Sequence, residues 1–199
     1  MLFRSPQEAG YLATNQEYSD VVIHAEYQWG AKRFKDKDDP LAQDGKRDSG
    51  VLYLAVGPDK IYPASLELQI EETDTGDLWL TGNVWAEVRV QSLEFPMWVD
   101  GDGGARHSFS GPSARIYKSG DFENLSDWNT VEVILRGNEA THIVNGRIVC
   151  HAARIRQPDP RDRFELIPLK SGHILLEAEG AEIWFRNIQI KPIASDQRP

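Results

Sequence analysis

The sequence predicts an all-β fold, a sandwich or barrel of antiparallel strands. Three observations support this fold class: apolar and polar residues alternate with period two in short runs, the runs are rich in Val, Ile, Trp and Tyr, and Gly, Pro, Asn or Asp separates them. No segment carries an apolar stripe of helical period over three turns, so helices are not expected. The length of 199 residues favours a single β-sandwich domain over residues 1–199.

The predicted strands are the runs in which this alternation is regular. They are residues 21–29, 50–56, 65–71, 85–90, 116–118, 130–136, 140–144, 147–152, 173–177 and 181–192. Asn145-Gly146 is a strong hairpin signal because both residues tolerate positive φ. With a second turn at Gly137-Asn138, residues 130–152 are predicted to form a three-stranded meander. Residues 31–47 and 91–113 are predicted to be long loops that wall a cleft.

Composition and charge exclude several classes of function. The net charge of −9 and the lack of a basic run argue against nucleic acid as a partner, since binding to phosphates needs clustered Lys and Arg. No apolar run is long enough for a transmembrane helix. Cys150 is the only cysteine, which excludes an intrachain disulfide. The chain has neither a phosphate-binding glycine loop nor a GxSxG elbow, so nucleotide-binding and serine-hydrolase functions are unsupported. The oligomeric state stays open.

The most informative polar pattern lies in the run 65–71. Its apolar residues share one face of the strand, while Glu67, Gln69 and Glu71 share the other, about 6.5–7 Å apart. Carboxylates separated by about 5–10 Å can divide acid and base roles across a glycosidic bond. This acidic ladder favours sugar chemistry. The alternative is the solvated outer face of an edge strand.

Two other strands add polar side chains with the same alternation. Glu26 lies on the polar face of the first strand, and Asp48 precedes the second. A concave sheet that carried Glu26, Asp48, Glu67 and Gln69 would form a groove lined by carboxylates. Each of these residues alone also fits a surface or structural role.

Tryptophan is the second feature that favours a sugar ligand. Sugar rings stack on indoles, and Trp79 and Trp98 are expected to be exposed because they lie beside loops rich in Gly and Asp. The alternative for both is a buried role in the core, which is common for large aromatic side chains.

No cofactor is expected from the motifs, and a divalent metal is left open. The five histidines form neither an HxH nor an HExxH pattern, which does not support a zinc centre. Asp36-Lys37-Asp38-Asp39 and Asp100-Gly101-Asp102 could bind Ca²⁺, but neither has EF-hand spacing, and solvated loops are the alternative.

Seven segments, taken in their order and spacing, carry a resemblance to a known family. They are 17–29 (EYSDVVIHAEYQW), 47–53 (RDSGVLY), 66–70 (LELQI), 75–79 (TGDLW), 128–130 (WNT), 142–146 (HIVNG) and 180–188 (GAEIWFRNI). Together they resemble the bacterial 3-keto-disaccharide hydrolase domain, a family formerly catalogued as a domain of unknown function, and the resemblance extends from about residue 10 to residue 193. One position departs from the pattern: Leu54 stands where relatives often carry Arg or His.

The resemblance implies a concanavalin A-like jelly roll, a β-sandwich of two antiparallel sheets. It also implies an enzyme that cleaves 3-keto-glycosides or 3-keto-disaccharides by hydrolysis or β-elimination. A 3-keto group acidifies the C2 proton, so a base can remove that proton and expel the C1 substituent, after which water can add. The alternative is a non-catalytic, lectin-like carbohydrate-binding module of the same fold.

The same resemblance implies roles for particular residues. Glu67 is expected to be the acid or base, with Glu26 and Asp48 as further catalytic carboxylates. The expected substrate-binding residues are Gln69, Glu71, Arg47, Trp79, Trp98 and His142. A carbohydrate or small glycoside is the expected partner. The family implies a periplasmic or extracellular location, but residues 1–4 lack the layout of a signal peptide, which leaves a cytoplasmic location as the alternative.

Overall fold

A computed structural model of the chain describes residues 2–4, 10–33, 45–179 and 181–194. Every regular element among them is a β-strand, which confirms the predicted all-β class. The strands are β1 (Leu2–Arg4), β2 (Gly10–Ala13), β3 (Val21–Arg33), β4 (Asp48–Val56), β5 (Ala64–Glu71), β6 (Leu78–Thr81), β7 (Trp85–Val90), β8 (Ala105–Ser110), β9 (Ser113–Ile116), β10 (Asn129–Arg136), β11 (Glu139–Val144), β12 (Arg147–Asp159), β13 (Asp162–Pro168), β14 (His173–Ala178) and β15 (Ala181–Pro192). The described residues include no helix that could cross a membrane.

The strands form two antiparallel sheets that pack face to face. The nine-stranded sheet has the order β1-β15-β3-β10-β11-β12-β7-β8, with β13 paired to β12, and the six-stranded sheet has the order β2-β14-β4-β5-β6-β9. Buried side chains from both sheets, such as Ile23 and Phe185 of one and Leu66 and Ile70 of the other, form one hydrophobic core. The described chain is therefore a jelly-roll sandwich, as the fold prediction required.

The predicted meander is confirmed as β10, β11 and β12, which pair in sequence. Asn145 and Gly146, between β11 and β12, have φ values of 48° and 76°. Positive φ at both central residues is the requirement of the tight hairpin turn whose twist matches the flanking strands.

The long loop predicted at residues 91–113 is wrong in part, because it contains β8. The sequence Ala-Arg-His-Ser-Phe-Ser of β8 shows no alternation of apolar and polar residues, since this strand lies at the edge of its sheet and neither face is fully buried. The strand predicted at residues 116–118 begins earlier, as β9. In the other predicted loop, β3 continues to Arg33, and residues 34–44 lie outside the described residues.

Strand β5 lies inside the six-stranded sheet, between β4 and β6. Its apolar residues Leu66, Leu68 and Ile70 are completely buried in the core between the sheets. Because successive side chains of a strand point to opposite faces, Glu67 and Gln69 lie on the outer face of this sheet. The alternative of an edge strand is therefore excluded for the acidic ladder.

The alternation of inward and outward side chains along strand β4 is interrupted at Leu54. This residue has a φ of 53°, which is uncommon for a side chain other than glycine, and the pairing with β5 shifts between Tyr53 and Val56. Both Tyr53 and Leu54 face the core as a result. Leu52 and Ala55 instead join Leu175 in a small apolar cluster apart from that core.

Candidate functional site

A row of paired residues crosses the outer face of the six-stranded sheet. Leu175 of β14 pairs with Leu52 of β4, Leu52 pairs with Glu67 of β5, Glu67 pairs with Trp79 of β6, and Trp79 pairs with Arg115 of β9. Directly paired residues point to the same face of a sheet. An apolar patch, a carboxyl group, an indole and a guanidinium group therefore follow one another along this row.

A cavity of about 320 Å³ opens over Glu67 and Trp79 of this row, and we call it the acidic groove. Its lining residues are Asp48, Tyr62, Glu67, Gln69, Trp79, Thr81, Pro112, Ser113 and Glu179. Of the residues expected from the sequence, the groove brings together Asp48, Glu67, Gln69 and Trp79. Pro112 and Ser113 come from the end of the stretch that was predicted to wall a cleft.

Glu67 lies at the floor of the acidic groove and is only 7% exposed. On the paired strand β4, Gly50 lies opposite Gln69 and diagonally across from Glu67, and a side chain on Gly50 would collide with the carboxyl group of Glu67. Beside it, the amide Nε2 of Gln69 donates a hydrogen bond of 2.8 Å to Oδ1 of Asp48. Gln69 therefore orients one carboxyl group of the groove next to another.

Several carboxyl groups around the acidic groove keep their protons to unusually high pH. Burial, together with the charges of Glu177 and Asp48, raises the pKa of Glu67 well above its ordinary value. Burial and the neighbouring Glu179 and Glu71 raise the pKa of Asp48 to about 8. Both effects disfavour the charged form, because a buried anion loses hydration and is repelled by like charges.

Glu177 and Glu179 belong to the same cluster, although the sequence analysis did not single them out. Glu177 is 2% exposed, and burial with the charges of Glu179 and Asp48 raises its pKa to about 8. One buried carboxyl oxygen of each residue has no hydrogen-bond partner among the described residues. A buried carboxyl group without a partner is far less costly when it is neutral, so the missing partners add to the preference of Glu177 and Glu179 for the protonated form.

Two partly exposed aromatic side chains line the acidic groove. Trp79 lies on its floor, and the guanidinium group of Arg115 lies over the indole at 5.4 Å from the ring centroid. Tyr62 is 48% exposed, has a φ of 57°, and is hydrogen-bonded through its hydroxyl to Glu179. A tyrosine in this uncommon backbone conformation is a feature often found where a side chain serves a ligand.

The expectation that Glu26 shares a sheet with Glu67 is wrong. Glu26 lies on β3, in the nine-stranded sheet, where its carboxylate accepts a hydrogen bond of 2.6 Å from Nε of Arg186. Hydrogen bonds from Asn187 and Arg186 hold the pKa of Glu26 below its ordinary value. Alternation within one strand shows which residues share a face, but not which sheet the strand joins.

His142 does not reach the acidic groove either. It lies on β11 and is buried between the sheets, where Nδ1 lies 3.2 Å from the carbonyl oxygen of Gly76 and Nε2 lies 2.8 Å from the hydroxyl of Tyr53. With Nδ1 donating to the carbonyl, Nε2 accepts the hydrogen bond from Tyr53. Burial lowers the pKa of His142 to about 4, so this histidine is a neutral residue of the core.

Trp98 is buried rather than exposed, contrary to the expectation from its neighbours. It is 6% exposed and lines a different cavity of about 280 Å³, beside Asp100, Asp102 and His151. Strands β7, β8 and β12 of the nine-stranded sheet supply residues of that cavity. Trp98 therefore belongs to another region of the sandwich.

Arg47 and Glu71 lie outside the lining of the acidic groove. Arg47 donates hydrogen bonds to Glu72 and to the carbonyl of Gly30 at 3.2 Å, because its side chain points away from the face that carries Asp48. Glu71 pairs with Asp48 across β4 and β5, and its carboxylate lies 3.5 Å from Arg115. Glu71 thus acts on the groove through its charge.

The possibility of a divalent metal site was left open by the sequence. The described residues include no group of three or more His, Cys, Asp or Glu side chains placed to hold a metal ion. Asp100 and Asp102 line the cavity of Trp98 together with Arg89 and Arg106, whereas 36–39 lies outside the described residues.

The residues that the sequence analysis missed differ in the signal they carry. Glu177 alternates with the apolar Ile174 and Leu176 along β14, so its outward direction could be inferred from the same pattern as for Glu67. Tyr62 lies in the connection between β4 and β5, where no periodicity indicates which aromatic residue will meet a cavity.

The antiparallel jelly roll, with an acidic groove that has aromatic walls, defines the class of protein. The chain is a concanavalin-like β-sandwich with a carbohydrate-related function. Within that class, the chain belongs to the 3-keto-alpha-glucoside-1,2-lyase-like domain family, whose model matches residues 2–191. The family resemblance seen in the sequence is thereby confirmed. No curated relative shows significant sequence similarity to the chain.

Solved structures share the fold at low sequence identity. A candidate glycosyl hydrolase from Parabacteroides distasonis ATCC 8503 is 18% identical, with a TM-score of 0.54, and the match covers 94% of this chain and 84% of that one. The carbohydrate-binding module CBM66 from Bacillus subtilis is 8% identical, with a TM-score of 0.57, and the match covers 96% of this chain and 91% of the module. Such identities establish a common architecture, while activity depends on the site.

Proposed function

We propose that this protein cleaves 3-keto-glycosides in the acidic groove, by β-elimination across C1 and C2 of the oxidised sugar. The observation that carries the proposal is the cluster of buried carboxyl groups that hold protons near neutral pH, beside a partly exposed indole. Elimination needs a base for the C2 proton and an acid for the departing oxygen. Carboxyl groups that share a buried site and have raised pKa values can hold a proton on one member while another is ionised, so they can supply both at one pH.

The reaction balances with groups that line the acidic groove. The base takes the proton from C2, which the neighbouring ketone acidifies. The electron pair of that C–H bond forms the C1–C2 double bond as the C1–O bond breaks. The acid gives its proton to the leaving oxygen, so the aglycone departs as a neutral alcohol. Water can afterwards add across the double bond, and the net result is then hydrolysis.

Glu67 is the proton donor in this scheme, and Asp48 is the base. The surroundings of Glu67 strongly favour its neutral carboxyl group, which suits an acid. Asp48 has its pKa raised to about 8, close enough to neutral pH for an ionised fraction to exist, and the hydrogen bond from Gln69 favours that ionised form. Gln69 is thus a positioning residue for Asp48.

Trp79 and Tyr62 would hold the sugar in the groove. An indole offers a flat apolar surface to the C–H face of a sugar ring, and Arg115 fixes the indole from the side of β9. The hydroxyl of Tyr62 already pairs with Glu179, which leaves its ring to form a wall of the groove.

The test is a reaction with a 3-keto-glucoside that carries a 4-nitrophenyl leaving group, beside the unoxidised parent. We expect release from the keto form only, with exchange of the C2 proton for deuterium when the reaction is followed by NMR in D₂O. The variant Glu67→Gln should lose most release, by about 100-fold or more, since general acid catalysis contributes about that much. Glu26→Gln is the matched control, because that carboxylate lies on the other sheet. Release from the unoxidised parent at an equal rate would refute the proposal.

The second candidate function is a non-catalytic carbohydrate-binding module, which the two aromatic walls of the groove favour. It requires sugar binding without cleavage. Trp79→Ala should then weaken binding about tenfold, which corresponds to about 1.4 kcal/mol, whereas Trp184→Ala on the nine-stranded sheet should not. Binding without release from the keto substrate would favour the module over the enzyme.

A further inference from the structure

A second cavity opens near the acidic groove, and we call it the apolar cavity. It has a volume of about 270 Å³. Its lining residues are Tyr11, Ala13, Thr14, Ala55, Val56, Gly57, Pro58, Asp59, Pro63, His173 and Leu175. They come from β2, β4 and β14 of the six-stranded sheet, from Thr14 directly after β2, and from the connection between β4 and β5.

The two cavities are neighbours on one row of the sheet. Leu175 lines the apolar cavity and Glu67 lines the acidic groove, and only Leu52 of β4 lies between them in the register. Two strand spacings separate Leu175 from Glu67, which is about 10 Å. The consecutive residues Tyr62 and Pro63 line one cavity each. A ligand of two parts could therefore occupy both cavities.

The lining of the apolar cavity suits a portion of the ligand that carries few hydroxyl groups. Several polar atoms at its edge already bond within the protein. The hydroxyl of Thr14 donates to the carbonyl of Gln16 at 2.8 Å, and the hydroxyl of Tyr11 donates to Asp59. A second sugar ring would need several polar partners for its hydroxyls, whereas an apolar group would need few.

His173 supplies a polar atom for such a group. Its Nδ1 lies 2.9 Å from the carbonyl oxygen of Thr14 and donates to it, so in the neutral ring Nε2 is an acceptor. Leu175, Ala55 and Pro63 add apolar surface beside the imidazole. This combination favours a flat apolar ligand that carries at most a few hydroxyl groups.

We propose that the apolar cavity binds the leaving group of the substrate, and that this group is aromatic. The inference rests on the proposed function, since it places the keto-sugar in the acidic groove and its aglycone in the neighbouring cavity. The substrate class is then an aryl 3-keto-glycoside. Glu67, between Leu52 and Trp79 in the row, is placed to protonate the oxygen that joins the two parts.

The test compares the 4-nitrophenyl and methyl 3-keto-glucosides with two variants of β2. Ala13→Trp fills the apolar cavity from an exposed position, and Leu12→Trp adds the same bulk to the opposite face of the same strand. We expect Ala13→Trp to lower kcat/KM for the aryl substrate about tenfold and to leave the methyl substrate within about twofold, a loss typical of a blocked apolar pocket. Leu12→Trp should change neither. Equal effects of Ala13→Trp on both substrates, or no effect on either, would overturn the inference, while cleavage itself would still support the proposed function.

A binding measurement separates the two proposals if no substrate is cleaved. Saturation-transfer NMR with 4-nitrophenol should show binding to the unmodified protein and to Leu12→Trp, and reduced binding to Ala13→Trp. That result would retain the aromatic ligand for the cavity even though the proposed reaction had failed. Absence of 4-nitrophenol binding to the unmodified protein would overturn the inference.

Discussion

The carboxyl group of Glu67 occupies the space that a side chain at Gly50 would take. Gly50 lies on β4, diagonally across from Glu67, and an added Cβ there would meet the carboxyl oxygen, carbon and Cγ of Glu67. The missing side chain lets a nearly buried carboxyl group lie flat over the neighbouring strand. The place of the proposed acid thus depends on a residue without functional groups.

Gly50→Ala is expected to abolish most activity while the chain still folds. The methyl group would displace the end of a flexible side chain, so the carboxyl group of Glu67 would move away from the substrate. We expect kcat/KM for the 3-keto-glucoside to fall about 100-fold and the melting temperature to change little. Gly10→Ala is the control, since an added Cβ there meets no atom within 4 Å. Full activity of Gly50→Ala would show that the position of Glu67 is unimportant.

The rate should rise with pH until about pH 8. Asp48 must be ionised to accept the C2 proton, and its pKa is raised to about 8. Activity is therefore lost as the pH falls below that value. Gln69→Leu removes the amide that favours the ionised form of Asp48, so the acidic limb of the profile should move to higher pH. The pH dependence of kcat/KM for both proteins measures the shift, and an unchanged limb would remove Gln69 from the proposed positioning role.

The stability of the fold should decrease between about pH 5 and pH 8. The folded chain holds a proton on Glu177 up to about pH 8, whereas an unfolded chain loses it near the ordinary carboxyl pKa. The native state binds more protons in this window, so the free energy of unfolding falls as the pH rises.

Glu177→Gln should remove part of that loss. The melting temperature at pH 8 is expected to rise by roughly 2–4 °C for each kcal/mol of stability that the neutral side chain restores, with little change at pH 4.5. Glu165→Gln is the matched control, since Glu165 is exposed on β13. A melting temperature for Glu177→Gln that falls at pH 8 would mean that the charge of Glu177 is stabilised by contacts that outweigh its burial.

Tyr53→Phe should lower stability but spare activity. It removes the hydroxyl that donates to Nε2 of His142 and leaves a buried ring nitrogen without its partner. The free energy of unfolding, measured in urea, should fall by about 1–3 kcal/mol. The specific activity of the folded fraction should stay unchanged, because His142 lies between the sheets. A large loss of kcat in fully folded protein would show that His142 contributes to activity after all.

Local alternation was sufficient to predict the fold class and the outward direction of two side chains that line the candidate site. The positions of Glu67 and Gln69 follow from the burial of Leu66, Leu68 and Ile70, because a strand with period two permits one assignment of faces. Asn145-Gly146 fixed one hairpin for an equally local reason, positive φ at both residues. The faces of a strand and the type of a tight turn depend on residues that are close together in the sequence.

The remainder depends on contacts between distant segments. The sequence does not show that β3 joins the nine-stranded sheet, so the expectation put Glu26 in the wrong sheet. His142 looked available for a substrate because its two partners, Tyr53 and Gly76, come from other strands and connections. Tyr62 was missed because a connection without periodicity carries no signal of direction.

The register shift at Leu54 divides strand β4 into two halves that line different cavities. The first half presents Asp48 to the acidic groove, and the second half presents Ala55 to the apolar cavity. One extra residue, inserted at a single bend, makes adjoining stretches of the same strand contribute to two different cavities. If the proposed function holds, substitutions beyond that bend would change which leaving group is accepted and would leave the proposed proton transfer in place.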